Sequence, residues 1–263
     1  MSVITFMSDF SLRDYYVGAV KGVMLGIAPD VTLVDITHQL QPHNVFHAAL
    51  VLGQTIEWYP KGTVHLAVVD PGVGGTRCVL AGRYVGQTIV APDNGLLTLV
   101  HRRWPVEALH VVENAELFRP AVSHTFHGRD IMAPAAAHLA RGMPIERMGR
   151  PAGSMELLRW PEVDRTDPDA LSGCVIDVDH FGNLVSNLSQ QDVAGFLRRA
   201  DDFRVRLGNV DIGPILRTYT DVERGEPLAV IGGTGLLEVA VRDGRAVDRF
   251  PESRDATVVV RRM

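Results

Sequence analysis

Short β-branched runs alternate with helix-period segments through the first half of this chain. That alternation limits its possible folds more than any other feature. Val3 to Met7 is an apolar run that ends at Ser8-Asp9. From Asp14 to Ala28, the residues Tyr16, Val20, Val23, Met24 and Ile27 recur at helical spacing, and Pro29 stops the pattern. Val31 to Ile36 reads as a second strand. Asn44 is placed to cap a helix with the stripe Val45, Ala48, Ala49, Leu52, Ile56 and Tyr59, closed by Pro60. Thr63 to Val69 is a third strand, ending at Asp70. Arg77–Ala81, Gln87–Ala91 and Val106–Val112 read as further strands and Leu96–Arg103 as a short helix. Asp130–Arg141 reads as an alanine-rich helix, with Pro134 in its first turns and Asp130 as its N-cap. The pattern predicts a layered, mostly parallel α/β sheet, whose binding crevice lies at the C-terminal strand ends. Asp9, Thr37-His38 and Asp70 all fall at such ends.

The pattern changes over residues 143–170, which hold four prolines and no clean period. The expected division is an N-terminal α/β domain over 1–150, a linker over 151–170 and a smaller β-rich domain over 171–263. In the last part, Gly173–Val178, Asp202–Leu207, Leu228–Ile231, Leu236–Val241 and Thr257–Val260 read as strands. Ser189 and Asp192 form a capping pair for one intervening helix.

Composition narrows the function. The 263 residues are 46% hydrophobic and 22% charged, as expected of an ordinary folded protein rather than a disordered one. A net charge of −5 argues against a general nucleic-acid binder. The basic pairs Arg102-Arg103, Arg198-Arg199 and Arg261-Arg262 are too short to line a groove. Two distant cysteines, Cys78 and Cys174, with no CxxC pattern, suit a reducing, cytoplasmic setting without disulfides or zinc. The N-terminus has no signal-peptide pattern, and no uncharged apolar run nears the roughly 20 residues of a membrane span.

Several segments carry chemistry-bearing residues, each with a plain structural alternative. Asp70-Pro71-Gly72-Val73-Gly74-Gly75-Thr76-Arg77 places a carboxylate and a guanidinium on one turn, where they either pair at the surface or hold a polar reactant. Asp9 is either a sugar-diol acceptor or a turn residue. His127 in Phe126-His127-Gly128-Arg129-Asp130 is an acid, base or orienting group, or simply a loop residue. The glycines after Asp70 lack the lysine of a phosphate loop. The ten histidines show no HExxH or HxH spacing, so no metal site is expected. In Asp179-His180-Phe181-Gly182-Asn183, Phe181 is suited to stack on a flat ring and Asn183 to read a base edge, unless the segment is only a turn. Gly232-Gly233-Thr234-Gly235 either offers N–H groups to a carboxylate or is a tight turn.

Taken in order, these segments resemble the S-adenosyl-L-methionine (SAM) hydrolases, also called SAM hydroxide adenosyltransferases, relatives of the fluorinases and chlorinases. The likeness also takes in Tyr16-Val17-Gly18, Ala91-Pro92-Asp93-Asn94-Gly95 and Gly235 through Val241, nearly the whole chain. The resemblance implies an N-terminal α/β domain, a C-terminal β-barrel-like domain and a homotrimer with active sites at subunit interfaces. It implies hydrolysis of SAM to adenosine and L-methionine, with no cofactor and no metal. The alternatives are halide transfer to give a 5′-halo-5′-deoxyadenosine and a non-catalytic adenosine or SAM sensor. The implied catalytic set is Asp70, Arg77 and His127. The implied substrate contacts are Asp9 to the ribose diol, Asp179 to the methionine ammonium, and Phe181 and Asn183 to adenine. Further contacts are implied for Phe126, Gly233, Thr234, Glu238 and Val241. Where the fluorinase carries a halide-contacting serine after the residue matching His127, this chain has Gly128. It also departs from the usual pattern at Ser11, in place of a glycine, at His43, in place of an aromatic, and at Gly233-Thr234.

Overall fold

The computed structural model describes residues 2–197, 203–251, 253 and 255–263. Arg198-Arg199 and Asp202 lie outside the described residues. The chain forms two compact units, Met1–Arg159 and Trp160–Met263.

The first unit has strands β1 (Val3–Ser8), β2 (Thr32–Thr37), β3 (Val64–Val68), β4 (Val79–Tyr84), β5 (Gln87–Pro92) and β6 (Ala108–Val111). They form one sheet in the order β2-β1-β3-β5-β4-β6. β2, β1, β3 and β5 are parallel, and β4 runs against its neighbours β5 and β6. Helices α1 (Tyr16–Ile27), α2 (Val45–Thr55), α3 (Thr98–Arg103) and α4 (Ala133–Ala140) cover both faces. Side chains alternate between the faces as strand geometry requires. Ile4 and Phe6 of β1 and Leu66 of β3 pack with Val20, Met24 and Ala136 on one side. Met7 and Ala67 pack with Leu52, Leu97 and Val100 on the other. Asn44 caps α2 as expected, its Oδ1 accepting the His47 N–H at 2.9 Å.

Two local readings are corrected. Arg77 and Cys78 belong to the loop before β4, not to a strand, because the Arg77 side chain turns back to Asp70. The alanine-rich segment opens with a π turn over Gly128–Met132, in which the Ala133 N–H donates to Gly128 O. Pro134 has no N–H to offer the Asp130 carbonyl, and the Arg119 N–H takes that acceptor at 3.0 Å. Asp130 is therefore not an N-cap. Its fully buried carboxylate is claimed by the Arg129 guanidinium and by the Ser123 N–H.

The stretch expected as a linker is hydrogen-bonded along its length. Ala152 N–H donates to Leu109 O, and Leu158 N–H to Thr98 Oγ1. Farther on, Pro161 O accepts from Asn187 Nδ2, and Asp164 bridges to Ser172.

In the second unit, β7 (Ala170–Val178), β8 (Leu184–Ser189), β9 (Phe203–Leu207), β10 (Val210–Gly213), β11 (Ile215–Leu216), β12 (Pro227–Ile231), β13 (Leu236–Val241) and β14 (Thr257–Arg262) form one barrel-like sheet. The order is β10-β9-β14-β7-β8-β13-β12-β11. Ser189 and Asp192 cap α5 (Gln190–Leu197) reciprocally: Ser189 Oγ and N–H donate to Asp192 Oδ2, and the Asp192 N–H donates to Ser189 Oγ. The sequence reading did not assign β8. Its Ser186 and Asn187 are buried and satisfied by Leu237 O, the Cys174 N–H and Pro161 O, so no polar–apolar alternation marks the strand.

Candidate active site

Parallel pairing brings the functional strand ends together. Ser8 of β1 pairs with Val68 of β3, so Asp9 and Val69-Asp70 leave the sheet side by side. After β1 the chain turns through Ser11 at φ 61°, with the Ser11 N–H on His38 O at 2.7 Å. This left-handed conformation explains why a glycine would suit the position. His43 is also left-handed, at φ 65°, and its N–H holds Asp9 Oδ2 at 2.9 Å.

The loop after Asp70 is folded by its own backbone, with Val73 N–H on Asp70 O and Gly75 N–H on Gly72 O. Asn94, beyond β5, fixes the strand end by donating Nδ2–H to Val69 O at 2.9 Å. Arg77 then reaches back to Asp70. Its Nε contacts Asp70 Oδ1 at 2.9 Å and Oδ2 at 3.1 Å, and its Nη2 also donates to Oδ2. The Asp70 side chain is 6% exposed and that of Arg77 12%, so this is no surface ion pair. Such a pair is strongly held once formed, and breaking one side strands the other charge.

His127 completes the cluster. Its Nδ1 lies 3.0 Å from Arg77 Nη2. A guanidinium has only donors, so Nδ1 accepts and the neutral ring carries its proton on Nε2. Burial, and next the Arg77 charge, hold the His127 imidazole below the usual histidine range; Asp70 and Asp130 pull the other way. His127 is therefore a neutral ring at neutral pH that presents an Nε2–H donor. Of the three side chains, Asp70 is then the one left with acceptor capacity beyond the Arg77–His127 contact.

Two glycines allow the close packing. Gly74 stands at φ +77°, and a Cβ there would lie 2.3 Å from His124 O, so the Arg77 loop touches the His127 segment backbone to backbone. A Cβ on Gly128 would lie 3.0 Å from Val68 Cγ1 and 3.5 Å from Phe10 Cζ. Beside the triad, Phe10, Tyr16 and Phe126 pack edge to face or tilted at 5.4–5.9 Å, and the Arg129 guanidinium lies over the Phe126 ring at 4.7 Å.

In the second unit, Asp179 and Asn183 close the β7–β8 turn on each other. Asp179 Oδ1 accepts the Asn183 N–H at 2.8 Å, and Oδ2 accepts Asn183 Nδ2–H at 2.9 Å. Between them Phe181 is 72% exposed, an aromatic face held out on a tight turn. Glu238 is buried in β13, and Tyr219 Oη donates to its Oε2 at 3.1 Å. Burial, with the Asp179 charge adding, raises the Glu238 carboxyl. Burial and Glu238 push the Tyr219 hydroxyl up to about 12. Gly233 and Thr234 lie exposed at the tip of the β12–β13 turn, whereas Val241 is buried in the hydrophobic core of this unit. Tyr219, His124 and Asp130 are contributors that sequence reasoning missed or misassigned. Tyr219 sits in a short 3₁₀ turn without motif or period, so nothing in the sequence marked it. Among the described residues, no group of three His, Cys, Asp or Glu side chains is placed to hold a metal.

Comparisons with known proteins converge on one family. The SAM hydroxide adenosyltransferase N-terminal domain matches residues 4–149, and its C-terminal domain matches 173–259. An (R)-S-adenosyl-L-methionine hydrolase from Thermus thermophilus is 40% identical over 256 residues, covering 94% of both chains. A solved structure of a conserved protein from Thermotoga maritima superposes with a TM-score of 0.92 at 37% identity, covering 98% of this chain and 100% of that one. A more distant relative, a fluorinase from Nocardia brasiliensis, is 30% identical over 272 residues, covering 90% of this chain and 89% of its own. The chain belongs to the SAM hydroxide adenosyltransferase family.

Proposed function

We propose that this protein hydrolyses (R)-S-adenosyl-L-methionine to adenosine and L-methionine, with Asp70, Arg77 and His127 as its catalytic residues. The observation that carries the reading is the buried Asp70–Arg77 pair with the His127 Nδ1 on Arg77. The sulfonium leaves as a neutral thioether, so neither an acid at sulfur nor a metal is called for. What the reaction lacks in water is an aligned, desolvated oxygen nucleophile. A water between the three side chains receives the His127 Nε2–H and the positive field of Arg77, both favouring hydroxide character, and gives its proton to Asp70. Its oxygen bonds to ribose C5′, the C5′–S bond breaks, and the bonding pair stays on sulfur.

Substrate contacts in this reading are Asp9 to the ribose diol, the Phe126 ring beside the nucleoside, and Phe181 and Asn183 to adenine. Asp179 and Glu238 take the methionine ammonium, while Gly233, Thr234 and the Val241 region complete the pocket. The protein works without a cofactor, as a homotrimer in which a neighbouring copy completes each site. Two free cysteines, Cys78 and Cys174, suit a reducing cytoplasmic setting. No helix among the described residues is long and apolar enough to cross a membrane.

The deciding experiment is product analysis with the (R) and (S) sulfonium epimers in ¹⁸O-water, with chloride and fluoride added in parallel. Label in the adenosine 5′-oxygen supports water attack at carbon. A 5′-halo-5′-deoxyadenosine would replace this reading with halide transfer. Calorimetric binding without methionine release would replace it with a sensor.

A further inference from the structure

We propose that Asp130 is the positioning residue of the site: it closes the loop over residues 119–130 so that His127 is held with its Nδ1 on Arg77. The inference rests on the hydrolase reading for its kinetic consequence, but not for its structural one. Asp130 is a carboxylate at neutral pH and acts only as an acceptor. Its carboxyl would be raised by burial, yet the Arg129 and Ser123 hydrogen bonds and the nearby Arg119 hold it below the usual range. Every polar group of the residue is tied within the loop, at four points, Arg119, Ser123, Phe126 and Arg129. The carbonyl, left free by Pro134, takes the Arg119 N–H at 3.0 Å. Oδ2 takes the Ser123 N–H at 2.9 Å and Arg129 Nη2 at 2.8 Å, and Oδ1 takes Arg129 Nε at 2.7 Å. The Asp130 N–H returns to Phe126 O at 3.1 Å.

Arg119 is thus fastened to the backbone carbonyl of Asp130, and Ser123 and Arg129 to its side chain, and His127 lies three residues before it. The π turn makes this possible. A regular helix from Gly128 would spend the Asp130 carbonyl on the residue four places on, and that residue is proline. The fastened loop also sets His124 O against Gly74, which fixes the distance between the Arg77 loop and His127. Arg129, paired with Asp130, lies over the Phe126 ring, so the same carboxylate orders the aromatic wall beside the triad. Asp130 acts on His127 by charge as well, favouring its protonated form against the effects of burial and Arg77.

The test is Asp130→Asn, which keeps shape and removes the charge. Three readouts are taken: turnover of SAM, its pH profile, and the imidazole ¹⁵N shifts of His127 by NMR. The expected result is native circular dichroism, a fall in kcat of about tenfold to a hundredfold, a KM within about threefold of wild type, an acid limb moved to lower pH, and ¹⁵N shifts showing a mixture of tautomers. Asp130→Asn combined with Arg129→Gln leaves only the half-exposed Arg119 without its carboxylate and is read in the same way if the single variant does not fold. Wild-type kcat, pH profile and His127 shifts in a folded variant would overturn the proposal. So would loss of folding by both variants, since Asp130 would then hold up the unit rather than His127. The NMR arm needs no turnover: a wild-type protein inactive on SAM would sink the hydrolase reading, while the His127 shifts would still decide the role of Asp130.

Discussion

Replacing Gly74 by alanine separates backbone strain from catalytic geometry. Gly74 sits at φ +77°, a conformation that costs an alanine about 1–2 kcal/mol. The added Cβ would also lie 2.3 Å from His124 O, where ordinary contact begins near 3.4 Å, so the two loops must part by about 1 Å. His124 is three residues from His127, and Gly74 three from Arg77, so that movement falls on the 3.0 Å Arg77–His127 bond. A misplacement of about 1 Å in a positioning contact costs on the order of a hundredfold in rate, or about 2.7 kcal/mol of barrier. Gly62→Ala supplies the control: Gly62 stands at φ +84° with nothing within 4 Å of its Cβ position, so it carries the strain without the clash. Both variants should melt about 2–8 °C below wild type. Only Gly74→Ala should lose turnover, measured as adenosine released from SAM by chromatography. Equal turnover in the two folded variants would refute the idea that the Gly74–His124 contact sets the triad.

Arg77→Ala should bind SAM by calorimetry yet lose most turnover, and should cost about 3–5 kcal/mol of stability because Asp70 is left buried and unpaired; wild-type-like adenosine release would sink the mechanism. His65 is buried between Thr5 and Gln87, and burial lowers its pKa from 6.5 to about 4. The unfolded chain takes up this proton below pH 6.5 and the folded chain only near 4, so stability is lost as pH falls through that window, by about 3 kcal/mol. Urea titrations at pH 7 and pH 4 should show that loss shrinking in His65→Gln; an unchanged loss would exclude His65 as its source. Gly128→Ser should destabilise the first unit, because its Cβ presses on Val68 and Phe10, and should yield no halogenated product by mass spectrometry. Burial raises the Glu238 carboxyl, so Glu238→Gln should raise the melting temperature more at pH 8 than at pH 5; a pH-independent change would contradict that cause.

The parts of the first unit that could be read from the sequence are those governed by local rules. β1, β2 and β3 follow from short apolar and β-branched runs, α2 from its Asn44 cap, and the shared sheet end of Asp9 and Asp70 from the parallel pattern. Asp130 was misread because a cap and a buried, cross-linked carboxylate look identical before a helix. The difference lies in Pro134, four residues on, and in the donors of Arg119 and Ser123, eleven and seven residues earlier in the chain. β8 is not legible because Ser186 and Asn187 are satisfied by Leu237, Cys174 and Pro161, partners distant in sequence. The Asp70–Arg77 pair was visible, but not its burial, which depends on residues 50 positions away at His127.

The same geometry narrows how the three triad members divide their work. In isolation a histidine beside an aspartate invites the role of general base. Here the guanidinium occupies Nδ1, and a ring that keeps its only proton on Nε2 has no lone pair to offer a water. Protonating His127 would put a hydrogen on Nδ1 and break the Arg77 contact, so acid should abolish turnover by dismantling the triad rather than by neutralising a base. Burial and Arg77 depress the His127 pKa, so the acid limb of kcat should fall below pH 6.5 and track the His127 titration seen by NMR. If the limb instead stayed in place when Arg77→Lys moved the His127 titration, the proton chemistry would have to lie elsewhere. In the proposed mechanism Asp70 therefore takes the proton, and Arg77 both restrains that carboxylate and stabilises the oxygen it deprotonates.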